Sequence, residues 1–213
     1  KKIFVERINI YGNNITRENV IRNQFEIDEG DPFNEILTTK TVNNLKSLNF
    51  FKNVNYKVID GSSEDSKIIN LTVDEKPTGE ISAGAGIGTS GGTVSFGVKE
   101  NNYLGKGLTL LSNITVNEES LKGIFSIRNP NFNNSDKSVY FSAEATETDR
   151  LTAFGYKTNK TGFSFGTDFE YLEDFNVGVA NSNYYEQIDT DSTASVRQKS
   201  QKGNYWDSFI NFN

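Results

Sequence analysis

The sequence predicts an α+β domain of order β-α-α-β-β over residues 1–77, followed over residues 78–213 by an antiparallel all-β transmembrane barrel, present in part. Three observations carry this. The first is a Gly-rich hairpin, Lys76–Glu100, in which Ile81, Ala83, Ala85 and Ile87 alternate with Gly84, Gly86 and Gly88. After Ser90-Gly91-Gly92 the alternation resumes as Val94, Phe96 and Val98, and two alternating runs about a Gly-rich turn mark a hairpin. The second is that alternating runs recur from there to the C-terminus, whereas ahead of it apolar residues recur partly at helical spacing. The third is compositional: 16 Phe and 9 Tyr sit in a chain of mean hydropathy −0.55. A membrane barrel produces that mixture, because only every second residue of a strand meets lipid.

Composition also narrows the function. No run approaches the roughly 18 apolar residues of a membrane-spanning helix, which leaves a barrel open. Net charge is −6, from 22 basic and 28 acidic residues interspersed, so no basic patch suits nucleic acid. Cys and His are both absent, which removes disulfides, thiolates and the commonest general base, and no cofactor or metal is expected. With no initiator Met, no signal peptide and an alternating run still in progress at Trp206–Asn213, the chain reads as a piece of a longer one.

In chain order, Ile3, Val5, Ile8 and Ile10 suit a first strand, stopped by Tyr11-Gly12-Asn13-Asn14. Thr16 suits the N-cap of a short helix reaching Phe25, with Val20, Ile21 and Phe25 inward. Glu29-Gly30-Asp31-Pro32 is a turn, and Asn34 caps a second helix with Leu37, Thr41, Leu45 and Leu48 on one face. Strands Val54–Ile59 and Ile68–Glu75 follow around the polar turn Gly61–Ser66. This order, with Ile10-Tyr11-Gly12-Asn13 and Gly30-Asp31-Pro32-Phe33, resembles the POTRA (polypeptide-transport-associated) domain. Leu45-Lys46-Ser47-Leu48-Asn49-Phe50-Phe51-Lys52-Asn53-Val54 is close to that family's L-x-x-L-G-F-F-x-x-V. Asn49 stands where the family carries Gly, a mild departure because Asn tolerates positive φ.

From Gly79 on, strands are expected at Glu80–Gly88, around Val94–Val98, and at Leu108–Val116, Leu121–Arg128, Ser138–Thr146, Gly162–Tyr171 and Asp174–Ser182, with one more begun after Asn204. Residues 147–161 and Glu186–Asn204 read as long polar loops, and Leu172-Glu173 as a short turn. Alternation of short turns with longer loops is the habit of outer-membrane barrels. Asn102-Tyr103-Leu104-Gly105-Lys106-Gly107 resembles the N-x-(F/L)-G-x-G turn, and Asn129-Pro130-Asn131-Phe132 the N/D-P-x-F turn, of BamA-like outer-membrane assembly factors. The resemblance implies that residues 78–213 are the N-terminal half of such a barrel.

Motifs of enzymes find no context here. Gly88-Thr89-Ser90-Gly91-Gly92 fits G-x-S-x-G, but a strand follows it and the chain has no His. Gly86 to Gly91 fits G-x-G-x-x-G without the helix that would face a pyrophosphate. Asp189-Thr190-Asp191 lacks the Gly and distal Glu of a calcium loop. An enzyme is the least expected reading.

Two features suit binding. The strand Val54, Asn55, Tyr56, Lys57, Val58, Ile59 offers an edge on which an extended client segment adds by β-augmentation, though an ordinary edge strand reads as well. The strand Ile81, Ser82, Ala83, Gly84, Ala85, Gly86, Ile87 carries side chains too small to hold a fixed register. In the family it is the lateral seam of the barrel. By the same resemblance Glu29 and Gly30 match a docking region for an accessory lipoprotein, and Glu29 equally suits a solvated turn. The implied function is folding and inserting β-barrel clients into the outer membrane of a Gram-negative bacterium, with the POTRA domain in the periplasm. A secretion or translocation pore (two-partner secretion or TamA-like) and a soluble periplasmic interaction module are the alternatives.

Overall fold

The computed structural model describes residues 2–88, 91–172 and 175–212, which divide into two compact units. The first takes in the described residues up to Thr78 together with Asn101–Gly107. It holds β1 (Phe4–Tyr11), α1 (Glu18–Arg22), α2 (Glu35–Ser47), β2 (Phe51–Asp60) and β3 (Ser66–Glu75). The sheet order is β1-β3-β2, with β3 parallel to β1 and antiparallel to β2.

Helix α2 buries Thr38, Thr41, Val42 and Leu45, positions that share one helical face. Its N-terminus is capped by Asn34, whose side chain accepts from the amides of Ile36 and Leu37. Asn49, at φ 61°, turns the chain out of the helix in the left-handed conformation that Asn adopts more readily than most residues. Ile21, Val42, Leu45, Phe50, Phe51, Val54, Leu71 and Val73 form the larger core cluster; Val5, Ile8, Ile27 and Ile69 form the smaller.

Thr16 is not the cap of α1. Its amide donates to Glu75 Oε1 at 2.6 Å, and its buried hydroxyl accepts from Asn102 Nδ2 at 2.8 Å. The position before the helix is Arg17, and α1 covers only Glu18–Arg22. Segment 101–107 therefore belongs to this unit, rather than lying wholly beyond a single boundary at residue 77. Asn102 Oδ1 also accepts from the Gly107 amide, and the Arg17 amide donates to the Gly105 carbonyl, both at 2.8 Å. Gly105 has φ +67°, and a Cβ there would stand 1.9 Å from the Ile15 carbonyl oxygen. Only glycine fits.

Among the described residues the second unit is one antiparallel meander of eight strands, each beside its sequence neighbour. They are β4 (Gly79–Gly88), β5 (Gly91–Tyr103), β6 (Leu108–Asn117), β7 (Ser120–Asn129), β8 (Lys137–Arg150), β9 (Tyr156–Leu172), β10 (Phe175–Thr190) and β11 (Gly203–Phe212). A 3-10 turn, Phe132–Asn134, precedes β8, and single helical turns α3 (Leu151–Phe154) and α4 (Val196–Ser200) join β8 to β9 and β10 to β11. The expected turn residues Thr89, Ser90 and Glu173, and Asp174 at the start of an expected strand, lie outside the described residues.

The two polar loops are largely strand. β8 and β9 stay paired as far as Arg150 opposite Tyr156, and β10 and β11 pair from Ile188 opposite Gly203. Apart from Tyr156 and Ile188 both faces of these extensions are polar, so side-chain alternation fades while the backbone ladder continues. Lys157 reaches Glu147 at 2.6 Å and Arg150 reaches Glu119 at 2.7 Å across the strands.

Glu75 also receives the amides of Asn14 and Ile15, each at 2.9 Å. Burial pushes its carboxyl up, but the hydrogen bonds from Thr16, Ile15 and Asn14 outweigh burial and hold it below the usual carboxylate range. Its stabilisation is fully present above the ordinary Glu value of about 4.3 and is lost as pH falls from there through the lowered value. Thermal melts of the wild type and Glu75→Gln between neutral and acid pH should therefore converge as the pH falls. Parallel curves would overturn this role.

Candidate functional site

Strand β4 pairs with β5 at all ten of its positions, from Gly79 opposite Glu100 to Gly88 opposite Gly91. It lies at the margin of the sheet, and every one of its residues is exposed. Ile81 (76% exposed) and Ile87 (95%) share a face with Val94, Phe96 and Val98 on β5. The opposite face of the pair holds Ser82, Gly84, Gly86 and Gly88 against Gly97, Ser95, Thr93 and Gly91. The seven predicted seam residues, Ile81 to Ile87, thus lie on one strand with one side unpaired among the described residues. An edge strand presents a row of free N–H and C=O groups, and that row is what a second chain can pair with.

The pair is held mainly by its backbone. A Cβ on Gly86 or Gly88 would touch nothing within 4 Å. Ser82 Oγ reaches the Gly97 carbonyl only at 3.5 Å. Farther along the sheet the opposite holds. The Tyr184 ring lies across Gly162, its cross-strand partner, with Lys160 Nζ 4.2 Å from the ring centroid. Tyr140 covers Gly166 in the same way, and Arg128 both stacks on Tyr140 and pairs with Asp168 at 2.9 Å. Rings seated on glycines fix register, and β4 has none of them.

The predicted client-binding strand Val54–Ile59 lies on β2, the outer strand of the three-stranded sheet, beside β3 alone. Val54 anchors it in the core, while Asn55, Lys57 and Ile59 are exposed. The other margin, β1, is covered. Glu29 Oε1 accepts the Ile8 amide at 2.9 Å, and Arg22 donates to the Ile8 carbonyl at 3.0 Å. The Gly30 amide donates to the Val5 carbonyl, and the Val5 amide to the Asp31 carbonyl. Glu29 and Gly30 thus close the β1 margin from within the domain. The sequence reading did not foresee this, because the partners lie 21 and 25 positions away on another element.

Also unforeseen is a polar break in the outward apolar face. Asn181, Asn183 and Ser208 share that face with Phe163, Phe165 and Ile210. Their side chains close a ring: Asn181 donates to Ser208 Oγ (3.4 Å), Ser208 to Asn183 Oδ1 (2.9 Å) and Asn183 to Asn181 Oδ1 (2.5 Å). Asp191, from the Asp189-Thr190-Asp191 motif, accepts from the amide and hydroxyl of Thr193, which lower its pKa. The candidate G-x-S-x-G serine, Ser90, lies outside the described residues.

Residues 3–76 match the POTRA family, described as "surface antigen variable number repeat". The first unit is a POTRA domain, and the chain is of the class that joins this domain to a barrel-type antiparallel sheet. Over 147 residues, 66% of this chain and 24% of the relative, it is 33% identical to the outer membrane protein assembly factor BamA of Buchnera aphidicola. BamA of Neisseria meningitidis is 28% identical over 134 residues, 62% of this chain and 17% of the relative. The chain thus spans between 17% and 24% of the length of these two relatives. The crystal structure of BamA from Haemophilus ducreyi lacking POTRA domains 1-3 matches all of this chain and 43% of that one, with a TM-score of 0.81 at 21% identity. CdiB from Acinetobacter baumannii matches 99% of this chain and 42% of that one, with a TM-score of 0.55 at 11% identity. The chain is BamA-like, a POTRA domain followed by part of a barrel-type sheet, and it shares its fold with CdiB.

The contrast between the two ends of the sheet is measurable. A Cβ at Gly162 would stand 2.2 Å from the Tyr184 ring, so Gly162→Ala should destabilise the sheet by about 1–3 kcal/mol. Gly86→Ala should stay within about 0.5 kcal/mol of the parent. Denaturant unfolding in detergent micelles reads both, and equal effects would refute the contrast.

Proposed function

We propose that this chain is the membrane-proximal POTRA domain and the N-terminal half of the barrel of an assembly factor that folds β-barrel clients and inserts them into the outer membrane. The observation that carries this reading is the Gly-, Ala- and Ser-rich run of β4, which leaves little beyond its backbone ladder with β5 to fix its register. In lipid a strand's N–H and C=O groups find no water, so an arriving strand gains most by pairing with an edge already there. Small side chains on β4 let it accept clients of differing sequence, because little shape is imposed on the partner. Ile81, Ala83, Ala85 and Ile87 would face lipid and Ser82, Gly84 and Gly86 the lumen. The work is done by burial of the client's apolar side chains and completion of its hydrogen bonds, without an enzymatic step, nucleotide or metal.

In this reading the POTRA domain lies in the periplasm of a Gram-negative cell, where the open β2 margin receives extended client segments by strand addition. The turn at Glu29 and Gly30 would present its outer surface to an accessory lipoprotein while its inner groups hold β1. The outward apolar residues Phe96, Phe125 and Phe163 weigh against a soluble module, since a water-exposed sheet seldom carries so continuous a patch. A second reading, a translocation or secretion pore of the same superfamily, draws support from the fold likeness to CdiB.

The test replaces Gly84 and Gly86 by Val, which stiffens β4 without removing its backbone groups. Folded client should appear more slowly in proteoliposomes carrying this variant in the intact protein. An unchanged rate would overturn the seam role. Transport of a soluble passenger by a parent protein that inserts no barrel would favour the pore.

A further inference from the structure

The outward face of the second unit carries a trough of about 450 Å³ bordered by Val139, Phe165, Thr167, Val179 and Ile210 and ended by Asn181. It follows from side-chain length. Val179 on β10 is short and lies opposite Thr167 on β9 and Phe212 on β11, one rung from Asn181, which stands between Phe165 and Ile210. One step along the same face, Lys137 lies opposite Phe169, and Val177 opposite Phe169 on the other side. The Lys137 ammonium is 5.9 Å from the Phe169 ring centroid and forms no ion pair among the described residues.

The two ends of this face differ in charge. At the far end Glu147, Asp149 and Asp189 share the face with one cation among the described residues, Lys157, which already pairs with Glu147 and Asp149. At the near end Lys137 stands beside apolar and aromatic residues. Strand direction places the near end with Gly79, the start of β4, because β4, β6, β8 and β10 run the same way.

We infer that this trough binds one glycerophospholipid, its acyl chain along Val179 and its anionic headgroup at Lys137. The inference rests on the membrane reading above, in which the Gly79 end faces the periplasmic leaflet. A lysine at the rim of an apolar band keeps its stem in hydrocarbon and its charge at headgroup level, where it attracts a phosphate. The acidic far end repels the same group, so the charge distribution sets the lipid's direction. The hydrogen-bonded ring of Asn181, Asn183 and Ser208 marks the end of the acyl path.

The test places the intact protein in phosphatidylethanolamine nanodiscs with a trace of phosphatidylglycerol bearing a diazirine on its acyl chain. Photolysis and peptide mass spectrometry then map the label. Label should concentrate on Val139, Phe165, Val179 and Ile210, fall about fivefold in Lys137→Gln, the factor one lysine supplies near an anionic surface, and fall in Val179→Phe, which fills the trough. Label spread evenly over outward residues such as Phe96 and Phe125, and indifferent to Lys137→Gln, would overturn the site and leave the membrane reading standing. Absence of label from every strand would overturn both.

Discussion

A β-strand carries its hydrogen-bonding groups on both sides, and each side must meet a neighbour, a cover or water. The two units answer this constraint differently at their margins. In the POTRA domain, β1 is closed by Glu29 and Arg22, which take the amide and carbonyl of Ile8, and by the turn from Gly30 to Phe33. The β2 margin has no such cover among the described residues. In the sheet, β4 has no cover among the described residues, and between Ile81 and Ile87 it carries only Ser, Ala and Gly. Closing one margin directs any added strand to the others.

Cohesion along the meander is graded. Between β8 and β10, rings sit on glycines, Ser164 meets Ser182 at 2.9 Å, and Arg128 joins Ser138 to Asp168. At β4 these devices give way to Gly, Ala and Ser. A strand that must admit a partner cannot also interlock with its existing one, so the gradient belongs to the proposed role. The Asn181–Asn183–Ser208 ring shows the complementary tactic, in which polar side chains on an apolar face satisfy one another.

The β-α-α-β-β order, the Asn34 cap and the phase of the apolar face were legible because each rests on local pattern: helical spacing, a capping side chain, period-2 alternation. What escaped was long-range or two-sided. Thr16 reads as a cap until Glu75, 59 residues on, takes its amide and Asn102, 86 residues on, takes its hydroxyl. Residues 147–161 and the flanks of 186–204 read as loops because alternation marks a strand only where its two faces meet different surroundings. Above the apolar band both faces are mostly polar, and little that is local distinguishes a paired strand from a polar loop. At the candidate site the small residues of β4 were visible in the sequence, as was the possibility of an edge at Val54–Ile59. The inward engagement of Glu29 and Gly30 was not, because it depends on where β1 lies.

The return of residues 101–107 into the first unit bears on how such modules are exchanged between relatives. A POTRA domain transplanted by a cut after Thr78 would bring Thr16 to a foreign turn, and the Ile15 carbonyl would meet whatever residue stood in place of Gly105. Heredity therefore has two non-contiguous stretches to carry together, the domain and the hexapeptide-like turn downstream of it. Asn102 and Gly105, remote in sequence from the domain, are part of that domain's own packing.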